Sequence, residues 1–320
     1  MSTPAACPSG DVNPGLGGAV VASISPMEPF WPRRSPHFLA CRRAVRPFLI
    51  PEPVTIGLSG GADSLALVAA ARAEGQEVHA VVVDHQLQSG SRAVAEEAAA
   101  QARRLGAHAE IATVTVGEGN LEAHARLARY RALRAPGRPV WVAHTRDDQA
   151  ETLLLQALRG NPGGMAAQAH GITRPFLGIR RHDTEQACAE LDLSPWEDPH
   201  NLDTDFRRVA LRRFLNEQLH GDATEPLART ADRIAADNAL LEELAGPPTD
   251  DCAELAAQPE PLRRRRIAAW LTGQNVGPTG ASISMIADMC TNWRGQGPVA
   301  VGAGLEVRRV GGRLTLSVEA

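Results

Sequence analysis

A short run of small and polar residues has the types and spacing needed to hold a phosphate group. The run comprises Ser59, Gly60, Gly61, Ala62, Asp63 and Ser64. Adjacent glycines let the backbone approach a ligand closely, and the apolar segment that follows is typical of a helix. The start of a helix attracts anions because its first N–H groups have no partner within the helix and its dipole is positive there. The run therefore predicts a phosphate-binding loop, with a simple capped glycine turn as the alternative.

Two common phosphate loops do not fit this run. A Walker A loop needs Gly-Lys-Ser/Thr, but all 33 basic residues of the chain are arginine and none is lysine. A dinucleotide fingerprint needs Gly-x-Gly-x-x-Gly, and Gly57 followed by Gly60 and Gly61 does not give that spacing. The lack of lysine also excludes a lysine nucleophile on this chain.

Strands and helices alternate around the loop. Apolar runs predict strands at residues 54–58, 78–83, 109–116 and 140–143. Helical patterns fill the intervals at residues 65–71, 92–105, 120–135 and 147–159. This alternation predicts an α/β fold with a doubly wound parallel sheet, whose ligands bind at the carboxyl ends of the strands. The polar residues that directly follow each strand are therefore the candidates for chemistry.

A second set of polar residues follows the second and fourth predicted strands: Asp84, His85, His144, Asp147 and Asp148. We expect Asp63 and Asp148 to converge on a divalent ion, because Mg²⁺ favours a few carboxylates together with phosphate oxygens. Asp147 is expected to cap its helix. His85 is equally well interpreted as a strand-end residue that makes local hydrogen bonds.

Composition restricts the class of protein. The 320 residues are enough for two domains, and 43% apolar with 22% charged residues is ordinary for a soluble globular protein. No apolar stretch reaches the roughly 18 to 20 residues of a membrane span, so no membrane partner and a cytoplasmic location are expected. Five scattered cysteines without a Cys-x-x-Cys pair argue against a disulfide framework or a structural zinc site.

Three segments differ in pattern. Residues 1–36 are rich in Pro, Gly, Ser and Ala, which predicts a disordered extension. Residues 37–218 contain the alternating strands and helices, after a first amphipathic helix at 37–48. From residue 219 the pattern changes to bundle-like helices and a hairpin around Gly311 and Gly312, which predicts a smaller helical or α+β domain over 219–320.

The order of the motifs resembles that of the tRNA(Ile)-lysidine synthases, a family of the ATP pyrophosphatase (PP-loop) superfamily. The matching segments are residues 59–64, 83–87, 120–130, 143–152, 159–160, 174–177 and 196–201. The family departs from this chain at residues 161–165, which form a looser loop here, and at Val209, where the family tends to have asparagine. Both differences lie towards the expected RNA side.

The resemblance implies a reaction. These enzymes use ATP to adenylate the C2 carbonyl oxygen of the wobble cytidine in a tRNA(Ile) with a CAU anticodon, and free L-lysine then displaces AMP. Asp63, Arg126, His144 and Asp148 are the implied catalytic residues. Residues 59–64 and Asp84 would bind ATP, and Asp63 and Asp148 would bind Mg²⁺. Without the family context, Arg126 is better interpreted as a surface arginine on an amphipathic helix.

The resemblance also implies that the macromolecular partner is a tRNA and not DNA, although the net charge of −4 does not by itself indicate a nucleic-acid binder. Candidate RNA-binding residues share a clustered arrangement and are Arg207, Arg208, Arg212, Arg263, Arg264, Arg265 and Arg266. Their alternative is a solvated helix face or local ion pairs.

Other functions stay open at this point. A PP-loop tRNA thiolase would normally need a cysteine near the site, and none lies near the polar clusters in sequence. NAD and GMP synthetases share the loop but lack the segments around Arg126 and His144. A catalytically inactive tRNA- or nucleotide-binding protein is the alternative from another class. The oligomeric state is undetermined, with a homodimer as one option.

Overall fold

The structure, a computed structural model, describes residues 31–32, 34–86, 90–114, 121–197, 207–218, 223–277 and 279–318. Most of the predicted extension, residues 1–30 and 33, lies outside the described residues. The helices are α1 (Pro36–Val45), α2 (Ala62–Ala73), α3 (Ser91–Arg104), α4 (Leu121–Arg134), α5 (Arg146–Ala157), α6 (Arg181–Glu190), α7 (Arg207–Glu217), α8 (Thr224–Ala245), α9 (Cys252–Ala257), α10 (Glu260–Gly273) and α11 (Gly280–Thr291). The strands are β1 (Val54–Gly57), β2 (Val78–Asp84), β3 (His108–Thr113), β4 (Val140–Trp141), β5 (Gln168–Ala169), β6 (Ile172–Thr173), β7 (Val299–Gly302), β8 (Leu305–Val310) and β9 (Arg313–Val318).

The first six strands form one sheet in the order β3-β2-β1-β4-β6-β5. All neighbouring pairs are parallel except β5 with β6. The predicted α/β fold with a doubly wound parallel sheet is confirmed. The chain runs outward from β1 to β3 and then returns to the other side of β1 as β4. The order therefore reverses between β1 and β4, and a crevice for ligands opens at such a switch point.

Alternation along β2 shows that both faces of the sheet are covered. Val78, Ala80 and Val82 belong to the large core under α1, α2, α3 and α6. Val81 faces the other way and packs with Leu133 of α4. On that side Gly57 has a specific role, because a Cβ there would lie 3.0 Å from Leu133 Cδ1. The missing side chain lets α4 pack closely on β1, directly before the phosphate loop.

Helix α2 is the central helix of the large core. Every residue from Ser64 to Ala71 is buried, and four of these eight are alanine. Small side chains let the helix lie close to the sheet while α1 and α6 pack on its outer side. The start of α2 is thereby fixed at the carboxyl end of β1, which is where the predicted phosphate loop lies.

The C-terminal part has its own core. Side chains from α9, α10 and α11 pack on the antiparallel sheet β7-β8-β9. The predicted hairpin is confirmed: Gly311 and Gly312 join β8 to β9 with φ of 58° and 83°. Positive φ at both central residues matches the twist that a tight hairpin requires. Among the described helices, none combines the length and apolar character that crossing a bilayer requires.

The long helix α8 joins the two parts and docks on α5. Arg146, buried at the start of α5, donates to Glu225 at 2.9 and 3.0 Å and to Asp232, both on α8. The loop after α5 approaches α8 so closely that a Cβ on Gly164 would clash with the carbonyl oxygen of Ala231. The segment predicted as a looser loop therefore contains a position that needs glycine.

Candidate active site

The predicted phosphate loop has an open helix start. Gly60 adopts a φ of +85°, and Gly61 occupies the N-cap position of α2, where it supplies no capping side chain. Ser64 holds the loop together, since its hydroxyl donates to the Gly61 carbonyl at 2.9 Å and accepts from the Ser59 N–H at 3.2 Å. The first N–H groups of α2 are thus presented at a braced turn. This arrangement suits an anion at the positive end of the helix.

A later segment of the chain lies against this loop. The Trp196 N–H donates to the Gly60 carbonyl at 2.9 Å. A Cβ on Gly60 would lie 3.2 Å from the Ala98 Cβ and 3.8 Å from the Trp196 Cβ, in addition to the strain of its positive φ. Residue 60 must therefore be glycine for reasons of both backbone conformation and space.

Asp63 is a carboxylate in a poorly solvated position. Burial raises its pKa to about 6, although the Arg181 guanidinium and the Thr184 hydroxyl act in the opposite direction. Thr184 donates to Oδ1, and Arg181 Nε lies 3.6 Å from Oδ2, which is too far for a good hydrogen bond. Oδ2 is consequently the oxygen that is available to a further cation.

The start of α5 differs from the sequence prediction. Asp147 does not cap the helix; Thr145 is the N-cap residue, and it forms a capping box with Asp148. The Thr145 N–H donates to Asp148 Oδ2 at 2.8 Å. Asp147 instead accepts from the Arg181 N–H at 2.7 Å and from the Arg180 guanidinium at 3.0 Å. The hydroxyl of threonine competed successfully for the cap, and this left Asp147 to hold the start of α6.

Arg181 links the two predicted halves of the site. Its Nη2 lies 2.9 Å from Asp148 Oδ1, and its Nη1 lies 3.3 Å from Glu151 Oε1. Together with the contact to Asp63, the guanidinium stands between carboxylates that follow β1 and β4. Sequence reasoning missed this residue. The available signal was its position: Arg180 and Arg181 begin a helix, where basic side chains oppose the dipole unless acids neutralise them.

Glu151 is the most deeply buried acid of the cluster, at 1% exposure. It accepts from Arg208 at 3.1 Å and Arg212 at 2.8 Å, both on α7, in addition to Arg181. Burying a carboxylate is costly unless cations and donors surround it, and three guanidiniums do so here. Arg208 and Arg212 therefore belong to the wall of the site, and RNA contact by them stays a prediction. The side chain of Arg207 lies outside the described part of the chain.

His144 lies one turn before Asp148 and is held neutral. Burial lowers its pKa to about 4; the positive charges of Arg174, Arg208 and Arg126 act in the same direction, while Asp148 opposes them. Its Nδ1 is buried without a hydrogen-bond partner among the described residues. A neutral imidazole with an unused ring nitrogen can donate or accept at an incoming group.

Arg126 and Asp84 take up the remaining predicted positions. Arg126 on α4 is exposed, with its guanidinium 5.1 Å from the centre of the Tyr130 ring, and its charge reaches His144. Asp84 ends β2 and is buried; its Oδ1 accepts from Ser91 Oγ at 2.8 Å and from the Gln86 N–H at 3.0 Å. Next to it, both ring nitrogens of His85 are buried without partners among the described residues.

The arginine run in α10 requires a correction. Arg266 is 4% exposed and donates to Glu254 at 2.5 Å and to the Pro247 carbonyl at 2.8 Å, so it is not available to RNA. Arg264 and Arg265 bond Ser284 and Asn238, and the Arg263 Nε is buried without a partner among the described residues. Consecutive helical residues point about 100° apart, so four in a row cannot share one face. Arg266 is therefore removed from the predicted RNA-binding set, and RNA contact by Arg263, Arg264 and Arg265 stays a prediction.

A cysteine does lie behind the loop, contrary to the expectation from sequence. Cys188 on α6 places its Sγ 3.4 Å from the Ala62 carbonyl. Burial raises the pKa of this thiol to about 12, so it stays protonated at neutral pH. It is 1% exposed and faces the large core. A protonated, inaccessible thiol is neither a nucleophile nor a cluster ligand.

A braced glycine loop at the start of a helix, opposite polar residues that follow β4 across the switch point, defines a nucleotide-binding enzyme of the PP-loop class. The family model described as the PP-loop domain matches residues 41–219, and that of the TilS substrate binding domain matches residues 251–315. The chain is 52% identical to the tRNA(Ile)-lysidine synthase of Corynebacterium diphtheriae, over 91% of this chain and all of that protein. It is 46% identical to the tRNA(Ile)-lysidine synthase of Corynebacterium glutamicum, over 89% and 96%.

The chain belongs to the tRNA(Ile)-lysidine synthase family. Among solved structures, the U34-tRNA thiolase of Methanococcus maripaludis matches with a TM-score of 0.52 at 16% identity, covering 62% of this chain and 80% of that one. At that identity the match supports the shared fold alone.

Proposed function

We propose that this chain ligates free L-lysine to C2 of the wobble cytidine of a tRNA(Ile) with a CAU anticodon, with conversion of ATP to AMP and pyrophosphate. One observation supports this proposal most directly. In a member of this family, Arg181 connects the phosphate loop after β1 with the Asp148 and Glu151 carboxylates after β4. This connection supports a single crevice in which adenylation and recognition of a cationic amino acid would take place together. A tRNA substrate would place the reaction in the cytoplasm.

The first step is attack by the C2 carbonyl oxygen on the α-phosphate of ATP, with release of pyrophosphate. The N–H groups at the start of α2 and the loop hydroxyls would hold the leaving pyrophosphate. Ser64 keeps the loop itself in position through its hydrogen bond to the Gly61 carbonyl. Arg126 would stabilise negative charge on the phosphate, because a guanidinium stays protonated. His144 would donate to a phosphate or carbonyl oxygen as a neutral imidazole.

The residues fit a magnesium ion at Asp63. Its Oδ2 has the Arg181 Nε at 3.6 Å, beyond a good hydrogen-bond distance, and a carboxylate with a raised pKa gains most from an added cation. Asp148 is already bonded to Thr145 and Arg181, so both aspartates could ligate one ion only if Arg181 moved from between them. We therefore propose Asp63 as the principal ligand. A bound Mg²⁺ would neutralise charge on the phosphates.

The second step is attack of the lysine ε-amine on C2, and AMP leaves with the former carbonyl oxygen. Free lysine carries two ammonium groups and one carboxylate. Asp148 supplies negative charge on the β4 side and Arg181 beside it supplies positive charge, whereas Glu151 is already neutralised by three guanidiniums and holds the arginines in place. We propose that this mixed cluster holds the amino acid, with His144 Nδ1 as an acceptor for the amine. Holding the amine against an activated carbon converts a bimolecular step into an intramolecular one.

The test is incorporation of radiolabelled lysine by the purified chain with ATP and Mg²⁺. Transcripts of a tRNA(Ile) with a CAU anticodon and of a tRNA(Met) with the same anticodon are compared. Label is expected in the isoleucine transcript only, and Asp63→Asn should abolish it. Pyrophosphate release is followed in parallel.

Each outcome separates one part of the proposal. Release of pyrophosphate without incorporated lysine would reject lysine as the nucleophile and return a thiolase reaction to consideration. Equal labelling of both transcripts would reject the substrate. A wild-type protein that binds tRNA but releases no pyrophosphate would support the binding-protein alternative.

A further inference from the structure

The amino-terminal ends of β2 and β3 carry two histidines and a glutamate with no part in the site described above. Glu77 directly precedes β2 and lies two residues before His79, a spacing that in extended backbone places side chains on one side. His79 is the register partner of His108 on the neighbouring parallel strand. Adjacent strands are about 4.8 Å apart, which brings all three side chains into one small area. The candidate active site lies at the opposite, carboxyl end of these strands.

The three side chains already lie close to a chelating geometry. The imidazole rings are stacked, with centroids 4.8 Å apart and planes at 20°. His79 Nε2 lies 3.5 Å from Glu77 Oε1. One ligand atom from each residue lies within 4.8 Å of the other two, and no other such group of three occurs in the described part of the chain.

A metal ion needs only a modest adjustment here. A point equidistant from three atoms spaced 4.8 Å apart lies about 2.8 Å from each, compared with about 2.0 to 2.2 Å for ligand bonds to Zn²⁺. Rotation about the side-chain bonds closes that difference, because Glu77 and His108 are exposed and His79 is half-buried. The exposed side also leaves a coordination position for water.

We propose that Glu77, His79 and His108 form a binding site for a divalent first-row transition-metal ion, with Zn²⁺ as the reference ion. Two imidazoles and one carboxylate suit Zn²⁺, Co²⁺ or Ni²⁺, whereas Mg²⁺ prefers oxygen ligands and keeps its waters. The site therefore differs in chemistry, as well as in position, from the carboxylates of the active site.

The position of β3 gives the ion a structural role. Among the described strands, β3 lies at the edge of the sheet and is bonded to β2 alone. An ion shared by His79 and His108 ties this edge to the next strand through side chains, in addition to the backbone ladder. A ligand that binds only the folded state stabilises it in proportion to its occupancy.

The experiment is a titration of metal-free protein with Co²⁺, whose visible absorption reports its coordination, followed by competition with Zn²⁺. Excess Mg²⁺ is present so that the active-site carboxylates are occupied by their own ion. We expect one equivalent to bind and to raise the melting temperature. His108→Gln and His79→Gln should each weaken binding at least tenfold and remove the thermal shift. His170→Asn is the control, because asparagine tolerates the φ of 52° at that exposed position.

Equal affinity in the wild type and both glutamine variants would overturn the proposal, as would the absence of binding to the wild type. X-ray absorption of Zn²⁺ bound to the wild-type protein gives an answer that does not depend on any variant. Two imidazoles and a carboxylate in the first coordination sphere are expected. Sulfur ligands, or a sphere without imidazole, would place the ion elsewhere and refute the site.

Discussion

Replacing Asp63 with asparagine should make the metal-free protein more stable while it abolishes activity. Burial outweighs the attraction of Arg181 and raises the pKa of Asp63 from 3.8 to about 6. A raised native pKa means that the folded state binds more protons than the unfolded chain between these two values. Ionised Asp63 therefore costs stability, and the cost grows as the pH rises from 3.8 to about 6. Asparagine is neutral at every pH and does not carry this cost.

The structure gives the size of the effect. For pKa values of 3.8 unfolded and about 6 folded, ionisation of Asp63 costs about 1.6 kcal/mol at pH 5 and about 3 kcal/mol at pH 8. The stability of Asp63→Asn relative to wild type should thus increase by about 1.4 kcal/mol between these two pH values. Any difference between a protonated aspartate and asparagine, such as the bond from Thr184, is constant with pH and cancels from this change.

The assay is urea unfolding at several pH values from 5 to 8, in EDTA and without phosphate. Asp237→Asn removes a negative charge from the exposed face of α8 and serves as the control. Its stability difference from wild type should not follow the same curve. Addition of Mg²⁺ should stabilise the wild type and not Asp63→Asn, because the ion binds the ionised carboxylate.

A difference that is constant with pH would refute the reasoning. It would show that the ion pair with Arg181 offsets burial and holds the pKa of Asp63 at or below its usual value, because such a carboxyl is ionised in both the folded and the unfolded state throughout pH 5 to 8. In that case the carboxylate would be a stabilising partner of the arginine and not a strained ligand. The proposal that Mg²⁺ offsets the cost of ionised Asp63 would then be refuted as well.

Three further predictions concern the same region. The pKa of His144 is lowered to about 4, so protonation of this residue in the unfolded chain below pH 6.5 should reduce the stability of the native state by about 2 kcal/mol at pH 5. His144→Gln should remove that loss in urea unfolding, and parallel stability curves of the variant and the wild type against pH would contradict the prediction. Arg181→Met leaves three acids without their shared partner and should destabilise the protein by about 3 kcal/mol, with Arg181→Lys recovering only part; unchanged melting temperatures would count against the bridge. Gly164→Ala places a Cβ against the Ala231 carbonyl and should reduce stability by about 1 to 3 kcal/mol, whereas the Cβ of Gly163→Ala meets the flexible end of Gln156 and should reduce it less. The reverse order of melting temperatures would show that α8 shifts at little cost to accommodate the new Cβ.

The sheet and the phosphate loop could be predicted because their signals are local. Short β-branched runs, a Gly-Gly turn and an alanine-rich helix each indicate one element without reference to distant residues. The placement of Asp63 near Asp148 also followed, since the carboxyl ends of parallel strands share one edge. The N-cap of α5 was harder to predict, because threonine and aspartate are both favoured at that position and Thr145, Asp147 and Asp148 all lie near the start of the helix.

The partners of charged side chains could not be predicted in the same way. Arg181 contacts three acids that lie 30 to 118 residues away in sequence, and the residues next to it in sequence do not indicate which acids these are. Arg266 lies in a run of identical residues, yet only its place on the inner face of α10 decides that it is buried. Pairing between distant charges depends on how helices pack, which composition and periodicity leave undetermined.

Each of the four successive residues from Thr145 to Asp148 forms a different contact. Thr145 caps the start of α5, Arg146 is bonded to α8, Asp147 accepts a hydrogen bond from the start of α6, and Asp148 is bonded to the Arg181 side chain. A mutation at any of these four positions removes a contact at the start of α5 or with α6 or α8, and a change at an adjacent position does not restore that contact. In a library of random variants this segment should be nearly intolerant to substitution. A tolerated change would require coordinated replacements in α6 or α8.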